Sequence, residues 1–170
     1  MNLPAIRAHL RATGTYHAEE PVLERPTVIG YDKRFRWRWL ATQLNTFTVA
    51  TDFGDAPVDV ELLRRHAAGA FALAQRDYRG WPRGLQSGLA VIQVLLSTRL
   101  TPEAIDYCRR LSADRKFAGF VIPVVADPVT GDVHYFERAP LWGRIYFPYF
   151  RQAVEALAAA SPVTDSTEAP

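Results

Sequence analysis

The sequence predicts an α+β fold: a two-layer sandwich with one mixed or mostly antiparallel sheet of about five strands and helices mainly on one face. Apolar and polar residues alternate over 34–39 and 46–53, which is the period-two pattern of strands. Nearly every residue of 89–96 is apolar, as is typical of a central strand buried on both sides. From Leu63 to Tyr78, apolar residues recur at helical spacing and indicate a long amphipathic helix.

Length and composition indicate one domain. The 170 residues suit a single domain over 1–160, and the polar, proline-containing stretch 161–170 is expected to be a disordered C-terminal tail. A hydrophobic content of 48% is sufficient for a core. The net charge of +2 is too balanced to favour nucleic acid or a membrane surface by itself.

The lone cysteine and the short apolar runs bear on cellular location. Cys108 is the only cysteine, so one chain has neither a disulfide nor a cysteine-based zinc site, and a single thiol suits a reducing cytosol. The first residues lack the apolar run of a signal peptide. The longest apolar stretch, 88–96, is far shorter than the roughly 20 residues that span a bilayer. We therefore expect a cytoplasmic protein with no membrane contact.

The N-terminal elements begin with a short helix, which Asn2 caps and which stops near Gly14. Residues 15–31 contain two prolines and no clear periodicity, so we expect an extended arm that lies on the domain. The strands at 34–39 and 46–53 then form a hairpin whose turn is expected at 43–45.

Two helices are predicted in the middle of the chain. Asp55 is expected to cap a helix of about twenty residues that ends before Gly80. The segment Thr101-Pro102-Glu103 is a strong start signal for the second helix. Between them lies the central strand 89–96.

The C-terminal elements are a hairpin and a helix. The strand at 117–126 contains Pro123, which places that residue at a sheet edge or a bulge. Residues 127–132 are typical of a turn that returns the chain through 133–137. The last helix has three apolar residues in line, Phe150, Val154 and Leu157.

A basic strand is the first candidate surface. Lys33, Arg34, Arg36 and Arg38 could contact phosphates of nucleic acid, but the period of two separates these cations from the rings of Phe35, Trp37 and Trp39. We favour the interpretation that the aromatic residues belong to the core and that the arginines form a solvated face or the rim of an interface.

The glycine-rich loop 78–88 is the second candidate. Arg79, Trp81, Arg83 and Ser87 could bind an anion through main-chain N–H groups and guanidinium groups. The loop lacks the Lys-Ser/Thr ending of a phosphate loop and the glycine spacing of a hydrolase elbow. A flexible connection is the simpler interpretation.

The aromatic run 142–150 is the third candidate. Trp142, Tyr146 and Tyr149 could line a pocket or contact a partner, or they could close one end of the sheet. No spacing of histidines and carboxylates predicts a metal site, and no motif predicts a cofactor. Cys108 is expected to be an inert apolar residue.

These features favour a non-enzymatic protein-interaction or assembly module that forms a homodimer or joins a larger complex. Two alternatives stay open. One is a small enzyme or anionic-ligand-binding domain that uses the 78–88 loop, with the 142–149 aromatic residues as a wall. The other is nucleic-acid binding through 33–38.

Overall fold

The computed structural model describes residues 1–39, 42–80, 87–110, 119–138 and 144–160. These residues form four α-helices: α1 (Leu3–Ala12), α2 (Val60–Arg76), α3 (Pro102–Arg110) and α4 (Phe147–Ala159). They also form six strands: β1 (Tyr16–Glu19), β2 (Thr27–Arg36), β3 (Thr42–Asp52), β4 (Ser87–Leu96), β5 (Gly119–Ala126) and β6 (Val133–His134). Short 3-10 segments at Trp37–Trp39 and Arg144–Tyr146 precede β3 and α4.

All six strands join one mixed sheet in the order β1-β2-β3-β4-β5-β6. Strands β1, β2 and β3 are antiparallel, β3, β4 and β5 are parallel, and β6 returns antiparallel to β5. The predicted α+β class is confirmed, with six strands instead of about five. The additional strand comes from residues 15–31, because this segment supplies β1 and the first half of β2.

The helices divide between the two faces of the sheet. Helices α2 and α3 connect successive parallel strands and pack on the same face, as two crossovers of one hand require. Helices α1 and α4 pack on the opposite face. The sequence predicted helices mainly on one face, whereas the structure has helices on both. Alternate residues of β4 are therefore buried on both sides of the sheet. No helix in the described ranges has both the length and the apolar character needed to cross a membrane.

The hairpin of β2 and β3 differs in detail from the prediction. Its turn lies after Arg36, because residues 43–45 are already paired within β3. The prediction that three aromatic residues share one buried side was wrong. Phe35 is 42% exposed and Trp37 is 81% exposed. Of the three, only Trp39 is buried: its Nε1 donates to the main-chain oxygen of Ile145, in the 3-10 segment before α4, at 3.2 Å.

Helix starts follow the capping residues, with one correction. Asn2 caps α1 as predicted, since its Oδ1 accepts from the Ala5 N–H at 2.9 Å. Asp59 caps α2 in place of Asp55, and its Oδ1 accepts from the Leu62 N–H at 2.7 Å. Helix α3 begins at Pro102, as its start signal predicts.

The C-terminal hairpin is confirmed, with a shorter return strand. Gly131 has a φ of 81°, and the Asp127 N–H donates to the main-chain oxygen of Asp132 at 3.0 Å. Only two residues of the predicted 133–137 strand pair with β5. Within the described ranges, the outer edge of β5 is therefore unpaired at Pro123, where the missing N–H is tolerated.

Candidate functional site: a polar cavity between α1 and α4

Two residues that the sequence analysis assigned to separate candidate surfaces meet on the α1/α4 face. The guanidinium carbon of Arg34 on β2 lies 5.2 Å from the ring centroid of Tyr149 in the first turn of α4. Asp32 joins them, because it lies two residues before Arg34 on the same side of the strand. Its Oδ2 accepts from Arg34 Nε at 2.6 Å and from the Tyr149 hydroxyl at 3.0 Å.

A cavity of about 200 Å³ adjoins this cluster. Seven residues of β2, β3 and β4 line it from the sheet: Gly30, Tyr31, Asp32, Arg34, Thr46, Thr48 and Ile92. The walls come from α1 (His9 and Leu10), from its C-cap Thr13 and from α4 (Tyr149, Gln152, Ala153, Ala156 and Leu157). Gly30 lets α1 approach the sheet closely, since a Cβ there would lie 2.7 Å from Leu10 Cδ2. The short alanine side chains of α4 leave the space open on the other side.

The hydroxyl of Thr46 is the unusual group in this lining. Thr46 is 2% exposed, and its Oγ1 has no hydrogen-bond partner among the described residues. Thr48 lies two residues further along β3, on the same face and also buried. Buried hydroxyl groups are normally paired, so an unpaired one beside a cavity indicates a group that is available to something bound there.

Tyr149 is held in its protonated form. Burial is the main reason that its pKa is raised above the ordinary value, and the negative charge of Asp32 adds to the rise. Thr46 and Arg34 offset part of it, although the Thr46 hydroxyl is not placed for a hydrogen bond of normal geometry. Tyr149 therefore serves as a hydrogen-bond donor at neutral pH.

The described part of the glycine-rich loop lies on the opposite face. Ser87 is buried at the start of β4, where its hydroxyl contacts the Tyr78 hydroxyl and accepts from Asn45 Nδ2 at 3.3 Å. Arg79 has an exposed side chain, and its main-chain oxygen accepts from Lys33 Nζ at 3.4 Å. Two other residues proposed for this loop, Trp81 and Arg83, lie outside the described residues.

The aromatic run contributes to the α1/α4 face instead. Tyr146 is half-buried before α4, with ring centroids 5.4 Å from Trp39 and 5.6 Å from Phe120. Trp142 lies outside the described residues. The described ends of the 78–88 loop and of the aromatic run are thus separated by the sheet.

The basic strand is divided in the same way. Lys33 points toward the α2 face and Arg34 toward the α1/α4 face, because neighbouring side chains of a strand alternate. The main chain of Arg36 ends β2 and that of Arg38 lies in the 3-10 segment, but both side chains lie outside the described part of the chain.

Sequence reasoning did not select Asp32, Thr46, Thr48 or Gln152 for this site. An acid and a base two positions apart in a strand were a usable signal for Asp32, since such residues share a face. Thr46 and Thr48 carry no such signal, because polar members of an alternating strand usually face solvent. Within the described residues, no group of three or more His, Cys, Asp or Glu side chains could hold a metal ion.

Comparison with known proteins adds nothing to this geometry. The chain matches no protein-family model, no curated protein and no solved structure, so its own residues are the basis for a functional proposal.

Proposed function

We propose that this domain is a non-enzymatic binding module whose cavity between α1 and α4 takes a small polar molecule. The unpaired hydroxyl of Thr46 carries the proposal. A buried polar group without a partner costs about 1–3 kcal/mol, and a ligand atom in the cavity would remove that cost. Around it, Asp32 supplies an acceptor and Arg34 supplies donors, while the Tyr149 hydroxyl donates to Asp32.

The lining favours binding over covalent catalysis. In the described residues, no cysteine, serine or lysine lines the cavity. Tyr149 keeps its proton because burial raises its pKa. Cys108 lies on the other face of the sheet, and burial raises the pKa of its thiol to about 12, which keeps it in the unreactive thiol form.

Ligand-observed NMR with a set of amino acids, polyols and short carboxylates tests the proposal. We expect saturable binding of a subset by the wild-type domain. Thr46→Val keeps the shape and removes the hydroxyl, so the affinity should fall about tenfold, which corresponds to about 1.4 kcal/mol. Thr98→Val is the matched control, because Thr98 is exposed and lies outside the cavity. The proposal fails if no compound binds, or if both variants bind as the wild type does.

Association with a protein is a second candidate function, and the exposure of Trp37 favours it. This ring is 81% exposed at the end of the β2–β3 hairpin, and its centroid lies 5.3 Å from that of Phe35 in an edge-to-face arrangement. Tryptophan is enriched among the residues that dominate interface energies. The surrounding sequence is basic over 33–38, so we propose a partner with an acidic surface.

Charge argues against two other partners for this surface, a second copy of the chain and nucleic acid. A second copy of the chain would bring like charges of 33–38 together. Nucleic acid presents only negative charge, and beside Arg34 it would meet the carboxylate of Asp32. The wild-type protein should recover the partner, and Trp37→Ala should not. Val129→Ala is the control and should still recover it, because Val129 is a comparably exposed apolar residue elsewhere on the surface. Identification by mass spectrometry should give an acidic protein. A dimer by light scattering, or a gel shift with single-stranded DNA, would contradict this assignment.

A further inference from the structure

On the basis of the proposed function, we infer that the ligand of the α1/α4 cavity is a small zwitterion with one ammonium and one carboxylate group, as in a free amino acid. Asp32 would bind the ammonium group and Arg34 the carboxylate. The polar remainder of the ligand would reach Thr46 and Thr48.

The Asp32–Arg34 pair leaves half of each charged group available. Asp32 uses Oδ2 for both of its hydrogen bonds, and its Oδ1 makes none with the described residues. Arg34 uses Nε, and its two terminal nitrogens make no hydrogen bond in the described part of the chain. A carboxylate can bind two guanidinium N–H groups side by side, and an ammonium can donate to a free carboxylate oxygen.

The orientation of both groups is fixed. Tyr149 supports the guanidinium of Arg34 with its ring and donates its hydroxyl to Asp32. A single buried side chain from α4 therefore holds both charges of the pair in place. Preorganised groups lose little entropy when a ligand binds, which favours recognition of a small molecule.

The balance of charge selects among ligand classes. Arg34 Nε and Asp32 Oδ2 lie 2.6 Å apart, so a simple anion attracted to Arg34 is repelled by Asp32. A simple cation attracted to Asp32 is likewise repelled by Arg34. A neutral polyol gains from neither charge. Only a ligand that carries both charges interacts favourably with both residues, so the pair discriminates against the other classes.

The size of the cavity suits a small ligand. Its volume of about 200 Å³ corresponds to roughly seven waters at about 30 Å³ each. L-serine has about that many non-hydrogen atoms, and its hydroxyl could pair with the unpaired Oγ1 of Thr46. It is therefore a suitable probe for the class.

The experiment titrates the full domain with four probes and follows main-chain amide shifts at Thr46 and Thr48 by NMR. The probes are L-serine, L-serine methyl ester, N-acetyl-L-serine and glycerol, which carry both charges, the positive charge, the negative charge and none. We expect L-serine to bind at least tenfold more tightly than each of the others. Asp32→Asn should weaken L-serine about tenfold while leaving N-acetyl-L-serine unchanged or tighter. Arg34→Gln should also weaken L-serine about tenfold, while the affinity for L-serine methyl ester stays unchanged or becomes tighter.

The outcomes separate this inference from the proposed function. If glycerol or N-acetyl-L-serine binds as tightly as L-serine and Thr46→Val weakens it, the cavity binds a ligand but the zwitterion assignment is overturned. If no probe shifts the Thr46 or Thr48 amides and no member of the broader NMR set binds, both proposals are overturned. Equal L-serine affinity in wild type, Asp32→Asn and Arg34→Gln also rejects the assignment.

Discussion

Buried threonine hydroxyl groups on the two faces of β3 differ in their hydrogen bonding. Thr51 faces α2, where its hydroxyl contacts Thr27 Oγ1 at 2.8 Å and His66 Nε2 at 2.7 Å. Thr46 faces the cavity, and its hydroxyl has no partner among the described residues. Helix α2, which connects β3 to β4, packs on the face that carries Thr51. Helices α1 and α4 lie outside the crossovers, and between them the opposite face carries a cavity with polar groups in its lining.

The ionisable groups on the two faces of the sheet also have different electrostatic environments. His66 is fully buried on the α2 face, and burial lowers its pKa from 6.5 to about 4. Its Nδ1 has no hydrogen-bond partner in the described residues, so the neutral ring is the form that fits there. In contrast, Asp32 and Arg34 at the cavity are partly solvated and form an ion pair.

The largest expected effect is a loss of stability in acid from His66. Its folded pKa lies below its unfolded value, so protons bind more readily to the unfolded chain. The contribution is complete above pH 6.5 and is lost as the pH falls through 4, with a total of about 3 kcal/mol. Urea unfolding at pH 7, 5.5 and 4 should show this loss in wild type.

His66→Gln is the control for the acid effect, because glutamine can still pair with Thr51 but does not titrate. Asp77, whose pKa is lowered to about 2 mainly by its bond with Arg76, acts below this range. If wild type and His66→Gln lose equal stability between pH 6.5 and 4, the assignment to His66 is wrong.

The next effect concerns the paired hydroxyl on the α2 face. Thr51→Val removes the partner of His66 Nε2 and leaves a buried polar ring without a hydrogen bond. The free energy of unfolding should fall by about 2 kcal/mol at pH 7, measured by urea titration. Thr27 retains its bond to the main-chain oxygen of Arg25, so its hydroxyl is not left unpaired. A change smaller than that of an exposed Thr98→Val variant would contradict the role of Thr51.

The same substitution on the cavity face should act in the opposite direction. Thr46→Val removes a buried hydroxyl that has no partner, so the free energy of unfolding should rise by about 1 kcal/mol without ligand. The measurement is the same urea titration. A decrease instead would show that the hydroxyl is already satisfied in the free protein, and the contrast between Thr46 and Thr51 would disappear.

The smallest effect is expected at the charged pair. Asp32→Asn should change the free energy of unfolding by no more than about 0.5 kcal/mol, because a partly exposed ion pair contributes little. Urea unfolding at low and high salt should give the same difference between wild type and variant. A loss above about 1 kcal/mol would make the pair a structural element of the fold, and not mainly a binding group.

Local signals predicted the elements that depend on neighbouring residues alone. The Asp127–Asp132 turn and the start of α3 at Pro102 are examples. The start of α2 shows where this fails. Both Asp55 and Asp59 can cap a helix, but the main chain of Val58 bonds with Arg99 and Thr101 and delays the helix until Val60. That choice depends on a strand connection about forty residues away.

The cavity could not be predicted for the same reason. Asp32 and Tyr149 are 117 positions apart, so their hydrogen bond has no local signature. The alternation of apolar and polar residues predicted a buried Trp37, whereas β2 ends one residue earlier and leaves the ring exposed. Periodicity predicted the strand and its faces, but the end of the strand depends on the turn that follows.

The sequential order of the six strands has a consequence for synthesis on the ribosome. Each strand pairs with the strand next to it in the chain, so the sheet can grow one strand at a time as the polypeptide emerges. Helix α4 follows every strand and supplies one wall of the cavity, including Tyr149. A nascent chain can therefore acquire most of its sheet before the cavity between α1 and α4 is complete, because one wall forms only when α4 packs.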